Sequence, residues 1–170
     1  MAGHHLRISR QALCSLTGHA RKGFETPYKR EVGGHLLGHQ SKDGFYVSRA
    51  IPYNTRYSRR SGWGTILYYF RKKGLGLETE RLKWIGTYHS HVEINSSAST
   101  AQSTEDKEAQ MISDRPIEII VRVTTRRMKS PGTCISCRED HNSRAYFFDI
   151  CGYIKDPLGR IAMMTGEVIQ

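Results

Sequence analysis

The chain has 170 residues, a net charge of +10 with its histidines neutral, and 38% hydrophobic residues. This length suits one compact domain over residues 1–170 with its own core, and the aromatic and β-branched content excludes wholesale disorder. No apolar run approaches the roughly 20 residues that span a bilayer, and the first residues lack the apolar segment of a signal peptide, so we expect a cytoplasmic protein without a membrane partner.

The basic side chains are scattered along the chain rather than gathered in a tail. Such scatter is typical of a solvated surface. Two alternatives stay open at this point, a basic face that docks an acidic partner and a surface that binds nucleic acid.

The first third of the chain predicts a helix followed by a β-hairpin. Residues 8–22 carry apolar side chains at near-helical spacing, and Ser9 is the predicted N-cap. Residues 30–40 and 45–53 are predicted strands, joined by a turn at 41–44.

The middle of the chain alternates polar loops with one apolar strand. Residues 54–64 predict a loop, and 65–74 are ambiguous between strand and helix. A strand is predicted at 82–91, a polar loop at 92–102, and a helix with an acidic first turn at 103–113.

The last third predicts three strands. Residues 116–125 form an apolar run typical of a buried strand, and 126–143 predict a polar loop. Further strands are expected at 144–154 and 159–169. Helices mixed with mostly local strands predict an α+β or mixed-sheet domain.

His89 and His91 stand two residues apart on a predicted strand, which turns both imidazoles to one face of the sheet. They can therefore share a metal ion. A catalytic zinc takes three protein ligands and leaves one position open. Asp106, at the start of a predicted helix, is the preferred third ligand, and Glu93 and Glu105 compete with it on composition alone.

A water activated by a metal ion also needs a general base. Glu31 opens the segment EVGGHLLG, whose glycines leave room for a cleft. The competing interpretation is a solvated carboxylate at a strand end. His35 and His39 share the strand face of Glu31, where they flank the cleft.

Three segments resemble the motifs of the JAB/MPN (JAMM) zinc metalloprotease family, and they occur in that family's order. Residues 31–38 resemble the glutamate-bearing first motif. Residues 85–91, IGTYHSH, resemble the strand that runs into His-x-His, and Ser103–Asp106 resembles the closing Ser-x-x-Asp.

Two departures from the family pattern stand out. Val92 occupies the place of a usual proline, and the loop before Ser103 is longer than the family's spacing. The usual spacing would select Ser99 and Gln102, but an amide is a poor zinc ligand. The register that ends on Ser103 and Asp106 supplies a carboxylate and is preferred.

The resemblance implies a single MPN-like domain in which a mixed β-sheet is flanked by helices, with cytidine-deaminase-like layering. It also implies that His89, His91 and Asp106 bind one catalytic zinc ion. Glu31 would accept a proton from water and later deliver one to the leaving amine. Ser103 would donate a hydrogen bond to the oxyanion.

The implied activity is that of an isopeptidase or peptidase cutting after the C-terminal glycine of a ubiquitin-like protein. The chain resembles small stand-alone prokaryotic members, some of which lie in conjugation or antiviral operons. The partner would be a ubiquitin-like protein or its conjugates, bound through an extended tail that adds a strand. Alternatives are a JAB-type protease of a sulfur-carrier pathway and a non-enzymatic, DNA-associated basic module.

The four cysteines suggest one more site. Cys134 and Cys137 have a spacing used for structural zinc, with His141 and Cys151 as further candidate ligands. The alternative is free thiols, with Cys151 in the core.

Overall fold

The structure is a computed structural model that describes residues 5–53, 76–92, 99–127 and 134–170. The predictions for 54–64 and 65–74, and most of the loop predicted at 92–102, lie outside these residues. The described elements are listed in chain order: β1 (His5–Ser9), α1 (Arg10–Phe24), β2 (Gly33–Ser41), β3 (Gly44–Pro52), β4 (Lys83–Val92), α2 (Thr104–Ile112), β5 (Ile117–Thr124), β6 (Ile135–His141), β7 (Arg144–Lys155), β8 (Ile161–Met163) and β9 (Thr165–Ile169).

The strands form one sheet in the order β6-β7-β5-β4-β2-β3-β1-β9, and β8 pairs with β7. β8 and β9 are two parts of one extended segment, so that a single stretch of chain pairs with β7 at one end and with β1 at the other. Between them, the Met164 N–H donates to the carbonyl of Gly152 at 2.8 Å. The sheet is therefore curled into a nearly closed, barrel-like shape.

The prediction of an α+β domain with a sheet flanked by helices is wrong. Within the described ranges 52% of residues are in strands and 18% in helices, and the sheet curls on itself instead of following the helix-flanked layering of an MPN-like domain. The physical reason is that β6 lies inside the polar stretch predicted as a loop at 126–143, and β1 precedes the predicted helix. An antiparallel strand at the end of a sheet order needs few apolar side chains, because one face can meet water.

α1 forms where its sequence predicts a helix. The Ser9 hydroxyl accepts the Ala12 N–H at 3.1 Å, which confirms the predicted N-cap. Ala12, Leu16 and Ala20 are fully buried along one stripe of the helix, which packs on β3 and β5. Among the described residues, neither helix has the length and apolar character that a membrane crossing requires.

β4 and β5 lie at the centre of the sheet order and pair in parallel, with His89 opposite Ile120 and His91 opposite Arg122. Tyr88 and Ile119, one position away, belong to the apolar core. Because neighbouring residues of a strand point to opposite faces, the sequence of these two strands gives one apolar face and one face with buried polar side chains.

Candidate metal centre

The structure brings His89, His91 and Asp106 together. The Nε2 atoms of the two histidines are 3.0 Å apart. The Asp106 carboxylate lies 3.3 Å from the Nε2 of His89 and 3.4 Å from that of His91. One ligand atom from each residue fits within 4.8 Å of the others, which is the spacing a shared metal ion needs.

A capping box places Asp106. The Ser103 hydroxyl accepts the Asp106 N–H at 3.1 Å, and the Asp106 carboxylate accepts the Ser103 N–H at 2.7 Å. The same carboxylate then faces the histidines of β4. Ser103 is exposed, and as an acceptor in this box its hydroxyl keeps its own hydrogen for another partner.

The second ring nitrogen of each histidine meets a hydrogen-bond acceptor. The Nδ1 of His89 lies 3.2 Å from a carboxylate oxygen of Glu118, and the Nδ1 of His91 lies 2.7 Å from the carbonyl oxygen of Ser99. A carboxylate and a carbonyl only accept, so both Nδ1 atoms carry hydrogen. When its Nε2 gives up its proton to make way for a metal ion, each ring therefore turns the Nε2 lone pair toward Asp106.

This arrangement fits a divalent cation. Two Nε2 lone pairs and a carboxylate in close contact repel one another unless a proton or a cation lies among them. Burial lowers the pKa of His89, but hydrogen bonds to Asp106 and Glu118 outweigh it and raise that pKa to about 10. Hydrogen bonds from His89 and His91 likewise hold the pKa of Asp106 well below its usual range, against the effect of burial. Two imidazoles and one carboxylate are a common ligand set for catalytic zinc.

Glu31 lies two residues before the start of β2 and within electrostatic reach of the cluster. Burial raises its pKa to about 7, although the charges of His89 and His91 oppose this. Its neighbour Val32 is fixed to the metal-site strand, because the Val32 N–H donates to the Ser90 hydroxyl at 2.9 Å and the Ser90 N–H donates to the Val32 carbonyl at 2.7 Å. The residue between the two histidines thus holds the segment that carries Glu31.

The other sequence candidates lie elsewhere. Glu105 is exposed in the first turn of α2, and Glu93 is outside the described residues. His35 is buried between the rings of Tyr53 and Trp84, at 4.7 and 5.2 Å between centroids. His39 is exposed and packs against Tyr46.

The Cys134-x-x-Cys137 pattern is not arranged as a zinc knuckle. The Cys134 sulfur lies 3.9 Å from that of Cys151 on the neighbouring strand. Residues three apart on an extended chain point to opposite faces, which separates Cys134 from Cys137. His141 is at the far end of β6, opposite Arg144.

Glu118 is the site residue that sequence reasoning missed. It is 3% exposed in β5, whose residues are all buried. The available signal was a single carboxylate in the apolar run PIEIIVRV, because an acidic side chain in a buried strand needs a partner.

Comparisons with known proteins inform the fold. No family model and no curated protein matches the chain. The solution structure of protein DSY2949 from Desulfitobacterium hafniense is similar to it, with 16% sequence identity and a TM-score of 0.51, over 97% of this chain and 93% of that one. At this identity the similarity concerns the fold alone.

Proposed function

We propose that the protein is a zinc-dependent peptidase or isopeptidase that cuts after the C-terminal glycine of a ubiquitin-like protein. The observation that carries this proposal is the convergence of His89, His91 and Asp106. Glu31 lies within electrostatic reach of all three, because their charges affect its pKa. The three sequence motifs that resemble the JAB/MPN family supply the substrate class.

The residues divide the chemistry among themselves. When bound, a zinc ion supplies a Lewis acid and lowers the pKa of the attacking water. Glu31 has a pKa near neutrality in the metal-free chain, which suits a group that takes up and gives back a proton. It accepts a proton from the attacking water and delivers it to the leaving nitrogen.

Ser103 acts on the oxygen of the scissile carbonyl. Its hydroxyl hydrogen is not used in the capping box, and the residue is exposed beside Asp106. A donor held by a helix start can stabilise negative charge that develops on that oxygen, an effect on the order of 10²-fold or more in rate.

The test measures zinc content and cleavage of a ubiquitin-like fusion taken from the same genome. We expect one zinc per chain and cleavage after the terminal glycine. Glu31→Ala should retain zinc and lose cleavage, whereas Glu105→Ala, an exposed carboxylate of the same helix turn as Asp106, should keep both.

The substrates in this assay distinguish the two peptidase hypotheses. Fusions to a ubiquitin-like protein and to a small sulfur carrier are offered in parallel, and the faster one identifies the pathway. A zinc-loaded protein that cuts neither fusion contradicts the proposal. A chain that binds no zinc contradicts the ligand assignment itself.

A further inference from the structure

Glu118 connects the candidate metal site to the rest of the fold. One carboxylate oxygen faces the Nδ1 of His89 at 3.2 Å, and the other accepts the side-chain N–H of Gln102 at 2.6 Å. His89 and Glu118 are each 3% exposed. A buried carboxylate is costly unless it is paired and hydrogen-bonded, and here both of its oxygens have partners.

The partners of Glu118 are themselves held in place. The Gln102 amide nitrogen also lies 2.7 Å from the side-chain oxygen of Gln110 in α2. Gln110 in turn donates to the backbone carbonyls of Pro116 and Tyr153, at 3.3 and 3.2 Å. α2 and the ends of β5 and β7 thus fix the position of one carboxylate.

Gln102 has a particular place in this network. The usual spacing of the resembled family would put it at the ligand position that Asp106 takes here. Its side chain is 8% exposed and reaches Glu118 instead of the imidazole nitrogens. The longer loop before Ser103 therefore allows Gln102 to support the metal site indirectly, through its hydrogen bond to Glu118.

We propose that Glu118 is a positioning residue that orients His89 for the metal ion and tightens metal binding. The inference rests on the proposed function, because it assumes that His89, His91 and Asp106 hold the ion. A carboxylate bonded to the Nδ1–H of a ligating histidine fixes its tautomer and ring orientation and raises its basicity. Asp106 and Glu118 together also supply two negative charges to balance a divalent cation.

The two histidines are not equivalent in this respect. His91 is held by a neutral backbone carbonyl of Ser99, whereas His89 is held by a charged group on the next strand. Loss of the Glu118 charge should therefore weaken the ligand on the buried side of the site. The Ser99 contact stays as an internal reference.

The experiment measures Zn²⁺ dissociation constants by competition with a chromogenic chelator on the folded full chain. Glu118→Gln keeps the shape and an acceptor oxygen but removes the charge. We expect zinc to bind about 10- to 100-fold more weakly. Glu139→Gln is the matched control, since this carboxylate bonds to Thr17 of α1 and touches none of the three ligands.

A spectroscopic reading separates positioning from simple stabilisation. In the zinc-loaded native chain, the Nδ1 proton of His89 should resonate far downfield and exchange slowly, because a carboxylate accepts it. Glu118→Gln should move this proton upfield, while that of His91 stays in place. A residue that only supports the fold would lower the denaturation midpoint and leave zinc affinity and this signal unchanged.

The outcomes separate the inference from the proposed function. If the native chain and Glu118→Gln bind zinc equally, the inference is overturned and the peptidase proposal is untouched. If the native chain binds no zinc, both fall. Should Glu118→Gln not fold, Gln102→Ala removes the donor instead of the carboxylate; a severalfold weaker zinc affinity supports the inference, and an unchanged one overturns it.

Discussion

Ser90 joins the two segments of the candidate metal site without being one of its ligands. It lies between the two histidines but points to the other side of β4, where it is fully buried. Its two hydrogen bonds to Val32 join the strand that carries the histidines to the segment that carries Glu31. The position of Glu31, the proposed base, relative to the candidate metal site thus depends on the Ser90 hydroxyl.

Ser90→Ala should slow cleavage while the zinc content stays the same. The substitution leaves the buried Val32 N–H without its acceptor, which costs about 1–3 kcal/mol in unfolding free energy. A small displacement of Glu31 should lower kcat on the order of 10- to 100-fold. Ser41→Ala, which removes a hydroxyl bonded to Gly44 in the β2–β3 turn, is the control with native kcat. An unchanged kcat for Ser90→Ala would contradict this role.

His19 makes stability depend on pH. Burial, with a smaller effect from the charge of Lys22, lowers its pKa to about 4, against an ordinary value of 6.5. Between these two pH values His19 is protonated in the unfolded chain and neutral in the folded chain. The contribution of the neutral imidazole to the unfolding free energy is therefore complete above pH 6.5 and is lost as the pH falls toward 4.

When the pH is lowered from 7 to 5, the titration of His19 should decrease the unfolding free energy of the native protein by about 2 kcal/mol. The measurement is urea denaturation of native protein and His19→Asn at both pH values. Asn keeps a polar group near the Tyr88 hydroxyl, which lies 2.9 Å from the His19 Nδ1, but does not titrate. Equal pH dependence of the two proteins would show that His19 is not the group responsible.

At the scale of elements, the predictable parts are those with strong local signals. Ser9 and Ser103 mark the starts of the two helices in the described ranges, and the turn at 41–44 marks the hairpin. The residues of β6, ISCREDH, carry no apolar alternation, so its pairing with β7 could not be predicted from its own sequence. The contact between Glu118 and His89 likewise could not be predicted, because the two residues are distant in sequence and are brought together only by the register between β4 and β5.

The pairing of β6 with β7 predicts that Cys134 and Cys151 can form a disulfide. Ile135 pairs with Ile150, which puts Cys134 next to Cys151, with sulfurs 3.9 Å apart. Paired residues of antiparallel strands have Cα atoms roughly 4.5–5.5 Å apart, within the range of a disulfide. Cys134 is half-buried, and its hydrogen bond with Cys151 lowers the pKa of the Cys134 thiol, which favours its reaction as a thiolate.

Treatment with an excess of a small disulfide should therefore oxidise Cys134 and Cys151 to a cystine, with the reagent reduced to its thiols. Tryptic digestion should give a linked pair of peptides, residues 130–138 and 145–155. Cys137→Ser should preserve this pair and Cys134→Ser should abolish it. A link that survives Cys134→Ser would contradict the pairing, since it would then involve Cys137.

At the scale of the whole molecule, the segment that contains β8 and β9 nearly closes the sheet. Met164 stands at its middle, 2% exposed, where the segment passes from β7 to β1. The packing of this side chain against the core couples the two ends of the sheet. The stability of the barrel-like shape should depend on it.

Met164→Ala should lower the unfolding free energy by about 2–5 kcal/mol, because it leaves a cavity in a buried position. Met163→Ala provides a matched control one residue away, since Met163 is 53% exposed and should change the value by less than about 0.5 kcal/mol. Chemical denaturation followed by circular dichroism measures both. Equal effects of the two substitutions would mean that the segment does not close the sheet as described.

The parallel pairing of β1 with β9 also sets an order of events during synthesis. Residues 5–9 leave the ribosome long before residues 165–169, and until those have followed one edge of β1 has no partner. Pairs so distant in sequence are costly to close and slow to form. The nascent chain therefore carries an open strand edge while the residues between β1 and β9 are translated, and a chaperone that covers extended backbone would have a long opportunity at this strand.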